Sequence, residues 1–280
     1  MVYHIRKMEF SELSIAVDWA AKFGWNPGSN DESCFYNVDK AGFFTGTLNE
    51  QCISFGSAVC YDEKFAFCGF YMVDESHRGK GYGMALTRER LVYVGERITG
   101  IDGVLENEEI YQRIGYETLH QNIRYEFINP FKDKESYSLI NTIKPSDIDN
   151  LSKYDQECFP AVRTSFLNCW ISKPERTALM YIDKGKIKGY GILRPAFSGM
   201  RIGPLFADSP EIGRNLFRAL LQQAGQNKVY LDVPSNNPNA QKIVDEFKGK
   251  SCFATARMYR NGIPNINQDK IYGITSFELG

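Results

Sequence analysis

The sequence predicts an α/β (α+β) protein of two tandem domains, each a mixed and mostly antiparallel sheet flanked by helices. Three patterns carry this expectation. Short apolar runs bounded by turn residues recur closely through residues 42–73 and again through 177–206, as the strands of a meander do. Each series gives way to a stretch of helical length and then to a further apolar run, the order strand, helix, strand. The interval from Gly56 to Asp74 is nearly matched by that from Gly189 to Asp208, and both aspartates close the strand ahead of the next helix. A tandem repeat is the economical explanation. The boundaries that follow are a first domain at 1–129, a linker at 130–136 where Pro130 and a charged run break the apolar periodicity, and a second domain at 137–280.

Composition narrows the functional classes. The chain has 280 residues, 43% hydrophobic and 24% charged, so each domain is large enough for a core. A net charge of -1 gives no general attraction to nucleic acid or to a membrane surface, and no apolar run approaches spanning length. The segment Met1–Lys7 lacks the apolar stretch of a secretion signal, so a soluble cytoplasmic protein is expected. The seven cysteines, Cys34, Cys52, Cys60, Cys68, Cys158, Cys169 and Cys252, are an odd number without Cys-x-x-Cys spacing. They are expected as buried free thiols in a reducing compartment, with no metal site.

In chain order, residues 2–6 read as a strand, and Leu13, Val17, Ala20 and Ala21 at helical spacing read as a helix from Ser11 to about Phe23. Gly24 and Pro27 stop it. The loop that follows carries Trp25, Asn26 and Asp31, an aromatic wall, an amide and a carboxylate that suit a cationic or polar acceptor. They equally suit a helix-stop loop with Trp25 packed into the core. Strands are expected at 42–48, 52–60 and 65–73, a helix from Met84 to Ile98, a strand over Ile101–Leu105, and a short helix ending at Gly115. Two closing strands near 117–120 and 123–128 complete the unit.

Between the third strand and the second helix lies His77-Arg78-Gly79-Lys80-Gly81-Tyr82-Gly83. Gly79, Gly81 and Gly83 remove side chains where the unpaired amides of a helix's first turn emerge, which makes a nest for a phosphate or pyrophosphate, with the charge of Arg78 beside it. The glycines do not have dinucleotide-fingerprint spacing, since Met84 stands at the sixth position. Lys80 precedes Gly81, which rules out the Gly-Lys-Ser/Thr nucleotide loop. The remaining pattern, Arg78-x-x-Gly81-x-Gly83, resembles motif A of the Gcn5-related N-acetyltransferases. Tyr111-Gln112-Arg113-Ile114-Gly115-Tyr116 is similar to that family's Tyr-Glu-Lys-Leu-Gly-Phe segment.

The resemblance covers nearly all of residues 1–128 and implies an acyl-CoA N-acyltransferase fold. Acetyl-coenzyme A would be the co-substrate, held by Met72, Val73, Arg78, Gly79, Lys80, Gly81, Tyr82 and Gly83. Its pantetheine would lie along the strand ending at Val73 as an added strand does, with amides near Met72 or Val73 facing the oxyanion. Tyr111 would protonate the departing thiolate, and a primary amine would be acetylated by direct transfer. Asp31, Asp74 and Glu106 are the candidates for the base, and no feature chooses among them. A non-catalytic acyl-coenzyme A sensor is the alternative.

The second domain repeats the order with strands at 138–143, 177–182, 186–194, 200–206 and 228–233 and helices from Ser146 and over 211–224. Its loop, Asp208-Ser209-Pro210-Glu211-Ile212-Gly213, has one glycine and no arginine, while Pro210 removes an amide and Glu211 repels phosphate. Val244 or Asp245 stands where Tyr111 would align. A degenerate copy is therefore expected, similar to the carboxy-terminal domain of a tandem acetyltransferase group, one that walls the acceptor cleft. Asp155, Arg163, Arg194, Arg201 and Asp232, with Phe159, Phe166 and Trp170, are its candidates for that wall.

Overall fold

The computed structural model describes residues 2–131 and 137–280, so most of the expected linker lies outside the described residues. The first half runs β1 (Tyr3–Lys7), α1 (Phe10–Lys22), α2 (Glu32–Tyr36), β2 (Phe43–Leu48), β3 (Gln51–Ser57), β4 (Val59–Cys60), β5 (Phe65–Cys68), β6 (Met72–Val73), α3 (Tyr82–Val94), β7 (Ile98–Val104), α4 (Glu108–Arg113) and β8 (Glu117–Ile128). The second runs β9 (Ile140–Thr142), α5 (Ile148–Asp155), α6 (Thr164–Ile171), β10 (Thr177–Asp183), β11 (Lys186–Pro195), β12 (Met200–Ala207), α7 (Pro210–Gln223), β13 (Lys228–Pro234), α8 (Pro238–Glu246), β14 (Lys250–Arg260) and β15 (Ile271–Gly273). Helix α1 forms where expected because Leu13, Ala16 and Ala20 share one buried face, and the Glu12 carboxylate accepts from the Glu9 amide at 2.9 Å to close its first turn.

The run 65–73, expected as one strand, is two. β5 pairs in parallel with β7 over Phe65–Cys68 and Ile98–Ile101. The chain then bends at Gly69 and Phe70, whose φ is +47°, and β6 stays with β3 through Phe55↔Met72 and Ser54↔Val73 instead of following β7. Arg90 of α3 holds the bend from beneath: its Nε donates to the Ser57 carbonyl at 2.8 Å and an Nη to the Gly69 carbonyl at 3.3 Å. Ser57 and Gly69 also pair through their main chains at 2.8 and 3.2 Å, so Arg90 adds a buried charged donor to carbonyls already bonded. β6 and β7 part, and a gap opens between them.

The two closing strands expected of the first half are one twelve-residue strand, β8, and the half does not close on itself. β14 of the second half inserts between β7 and β8, and β8 lies between β14 and β13. Each half therefore gives its last long strand to the other's sheet, and both edges of each strand are hydrogen-bonded. The result is one large sheet from β4 to β9 beside a four-stranded sheet ordered β1-β2-β3-β6.

In the second half, β12 and β13 pair over Met200–Ile202 and Val229–Leu231 and then part, as the chain of β5 and β6 parts from β7. Here the gap is filled by the chain itself. β15 pairs with β12 through Leu205↔Gly273 and Phe206↔Ile271, and the Ile274 amide donates to the Asp232 carbonyl of β13 at 3.0 Å. Residues 274–280 continue, buried, back to the first half.

The core is shared in part as well. One buried cluster joins Leu13, Phe35, Phe43 and Phe55 to Phe166, Trp170, Tyr190 and Phe206 across the halves, while two others lie almost wholly within one half each. Cys34 of α2 and Cys169 of α6 form a disulfide across this contact, which corrects the reading of all seven cysteines as free thiols. Cys52, Cys60, Cys68, Cys158 and Cys252 are free.

Candidate functional site

A cleft of about 650 Å³ occupies the gap between β6 and β7. Its floor at one end is the α3 amino terminus. Gly79 and Gly81 have φ of +73° and +86°, and a Cβ at either would meet open space, so these positions call for glycine by backbone conformation. Gly83 differs: a Cβ there would come 2.2 Å from the Tyr71 hydroxyl, so close packing makes this position glycine. No side chain caps α3, which leaves its first-turn amides available for an anion beside the cleft. Arg78 is half exposed, with its Nε on the Val73 carbonyl at 3.1 Å and its guanidinium over the Phe23 ring at 5.1 Å. Lys80 turns its ammonium to the Ser76 carbonyl at 2.8 Å, and the Tyr82 ring lies 4.8 Å from that of Tyr3. Met72 and Val73 line the cleft with Arg78, Gly79, Gly81, Gly83 and Tyr111, whereas Lys80 and Tyr82 do not.

Tyr111 stands on α4 with its ring against β7, where a Cβ at Gly103 would come 2.4 Å from the ring. Burial raises its pKa above the ordinary tyrosine value, partly opposed by the Asn107 side chain. The hydroxyl therefore keeps its proton at neutral pH and can donate it.

The loop residues expected to meet an acceptor are distributed otherwise. Trp25 lines the cleft. Asn26 instead ties the halves together, its side chain donating to the Ser198 carbonyl at 3.0 Å and accepting from the Ser198 amide at 2.7 Å. Asp31 is 1% exposed and held by Arg176 at 2.8 Å and Arg194 at 3.0 Å, so this carboxylate is a buried anchor between the halves and does not line the cleft. Among the other base candidates, Asp74 bonds Ser76 and His77, which hold its pKa down. Glu106 lies exposed at the cleft rim.

The wall residues expected from the second half do not line the cleft either. Asp155 pairs with Arg163 at 2.8 Å and Asp232 with Arg124 at 2.6 Å and Arg201 at 2.5 Å, while Phe159, Phe166 and Trp170 are core. Burial alone would raise the Asp232 pKa, but the two arginines bring it to about 2. The second half instead supplies Phe253 and Thr255 from the inserted β14 and Phe277 and Glu278 from the segment after β15. Asp102 of β7 also lines the cleft, clamped by Arg257 of β14 at 2.7 and 2.8 Å. Sequence reasoning missed Phe253 and Thr255, which reach the site through strand exchange, and Phe277 and Glu278, which reach it through the segment after β15. The sequence predicts no strand over 250–260, where the adjacent apolar residues Phe253 and Ala254 break a clean alternation.

Two family models match the chain, an acetyltransferase (GNAT) family over residues 2–116 and an acetyltransferase (GNAT) domain over residues 151–273. The holothin acyltransferase of Pseudoalteromonas sp. (strain SANK 73390) is 30% identical over 270 residues, 96% of this chain and 92% of that protein. The chain belongs to the GNAT acyltransferases. Among solved structures, a putative acetyltransferase from Pyrococcus horikoshii superposes with a TM-score of 0.84 at 19% identity, covering 99% of this chain and 96% of that one. A tandem GNAT protein from the clavulanic acid biosynthesis pathway superposes with 0.63 at 10% identity, covering 94% and 100%. This tandem GNAT acyltransferase has the family's acyl-coenzyme A as co-substrate. Its second loop is occupied by its own groups: the Ser209 hydroxyl accepts from the Ile212 amide at 3.4 Å, Pro210 opens α7, and Asp208 bonds Lys188 and Lys270.

Proposed function

We propose that this acyltransferase moves an acetyl group from acetyl-coenzyme A to a primary amine by direct transfer in the first half's cleft. The observation that carries the reading is the cleft between the parted strands β6 and β7, with the Gly79–Gly81 turn at one end and the half-buried Tyr111 lining it. Pyrophosphate would rest on the α3 amides beside Arg78, and pantetheine would complete the sheet edge left by β6. The thioester would then lie near Met72 and Val73, where main-chain amides stabilise the oxyanion. Tyr111 would protonate the thiolate. Trp25, Phe253 and Phe277 give the acceptor aromatic walls from both halves, which favours an amine carried on a flat or apolar body.

The test is product detection by mass spectrometry with acetyl-coenzyme A and longer acyl donors against a panel of primary amines, holothin included because a relative is named for acylating it. Acetylated amine is expected, and single-turnover transfer by Tyr111→Phe should fall by about 100- to 10,000-fold with cofactor affinity kept. Transfer only from longer acyl donors, or an equal rate in the Phe variant, would contradict the donor or the acid.

A further inference from the structure

Glu278 lines the cleft and carries a carboxylate that has no hydrogen bond within the described residues. It is 2% exposed, and among the described residues neither carboxylate oxygen has a hydrogen-bond partner. The nearest cation is Arg201, whose Nη1 lies 3.9 Å from Oε1, beyond hydrogen-bond reach, while its other Nη is committed to Asp232 at 2.5 Å. The other carboxylates at the cleft differ. Asp102 is saturated by Arg257 and Asn122, and Glu106 is exposed to water.

A buried carboxylate with no hydrogen bond and one distant cation is costly, and a fold keeps one where something outside the fold completes it. Glu278 is also held in place from several sides. The Thr275 carbonyl accepts from Arg194 at 3.2 Å, the Leu279 carbonyl from Tyr61 at 2.9 Å, and Phe277 lies 4.6 Å under the Arg124 guanidinium. Gly69 at the β5–β6 bend leaves room for this segment: a Cβ there would come 2.1 Å from the Glu278 carbonyl oxygen. The segment that fills the second half's gap therefore delivers a carboxylate to the bend that opens the first half's cleft.

We propose that Glu278 accepts the first proton of the acceptor's ammonium, an inference that rests on the amine-acetylation reading above. The ammonium gives one proton to the Glu278 carboxylate, which later releases it to solvent. The neutral amine attacks the thioester carbonyl carbon, the C–N bond forms, and collapse of the oxyanion breaks the C–S bond. The thiolate leaves with the Tyr111 proton, and the second nitrogen proton restores Tyr111. The products are amide, free coenzyme A thiol and one proton.

The experiment compares Glu278→Gln with the parent using benzylamine, charged at neutral pH, and aniline, neutral there, with acetyl-coenzyme A affinity read by thermal shift. Affinity should be unchanged, transfer to benzylamine should fall by about 100- to 10,000-fold, and the loss with aniline should be about ten times smaller or less. Equal losses with both amines would mark a structural role and overturn the proposal, as would no loss with benzylamine. If the Gln variant has a lowered unfolding temperature, Glu278→Ala with added formate takes its place: restored turnover supports a proton acceptor, and no response overturns it. A parent that binds acetyl-coenzyme A but acylates neither amine overturns the amine reading and this inference with it. A parent that acylates benzylamine while the Gln variant matches it overturns the Glu278 assignment alone.

Discussion

His120 sits on β8 opposite Arg257 of β14, 9% exposed, with neither ring nitrogen hydrogen-bonded among the described residues. Burial, and then the Arg257 charge, lower its pKa from 6.5 to about 3. The folded state thus resists a proton that the unfolded chain takes up readily. Stability from this residue is fully present above pH 6.5 and is lost progressively as pH falls from there toward 3. The slope approaches about 1.4 kcal/mol per pH unit in that window. Unfolding midpoints in denaturant measured from pH 8 to pH 5 should show a decline in the parent that is reduced in His120→Gln; parallel curves would mean that His120 accepts its proton without cost. Nothing local in the sequence announces this residue, whereas Tyr111 was legible because its neighbours spell a recognisable segment.

At the scale of elements, α2 and α6 carry Cys34 and Cys169, 135 residues apart, and their disulfide bridges the contact where Asp31 meets Arg176 and Arg194. Replacing Cys34 with Ser should cost ~2–4 kcal/mol, the range for a link that restricts the unfolded chain over a long loop. Denaturant unfolding of parent and variant, with and without reductant, measures it. The account expects the reductant to lower the parent and leave the variant unchanged, and an unresponsive parent would refute it. Most elements of both halves could be read from periodicity and turn residues, apart from α2, α6, β14 and β15. The pairing was not legible: which charges meet is decided by positions up to 163 residues apart, as for Asp31 and Arg194. A surface reading of Asp31, Asp155 and Asp232 is the ordinary one for carboxylates, and the fold departs from it by burying arginines to match.

For the whole molecule, the exchange of β8 and β14 and the shared core make the two halves one body around one cleft. The degenerate loop at Asp208–Gly213 was visible in the sequence. The occupation of the second gap by β15 was not, because a short apolar segment carries no sign of the strands it will enter. Loss of the phosphate loop and filling of the strand gap both lead the account to expect a single acyl-coenzyme A site per chain. Calorimetric titration of acetyl-coenzyme A into the parent and into Gly81→Val tests this most directly. The account predicts one equivalent bound per parent chain and none by the folded valine variant, whose side chain would enter the open face of the nest at a backbone angle that valine resists. Two equivalents in the parent, or undiminished binding in the variant, would contradict it.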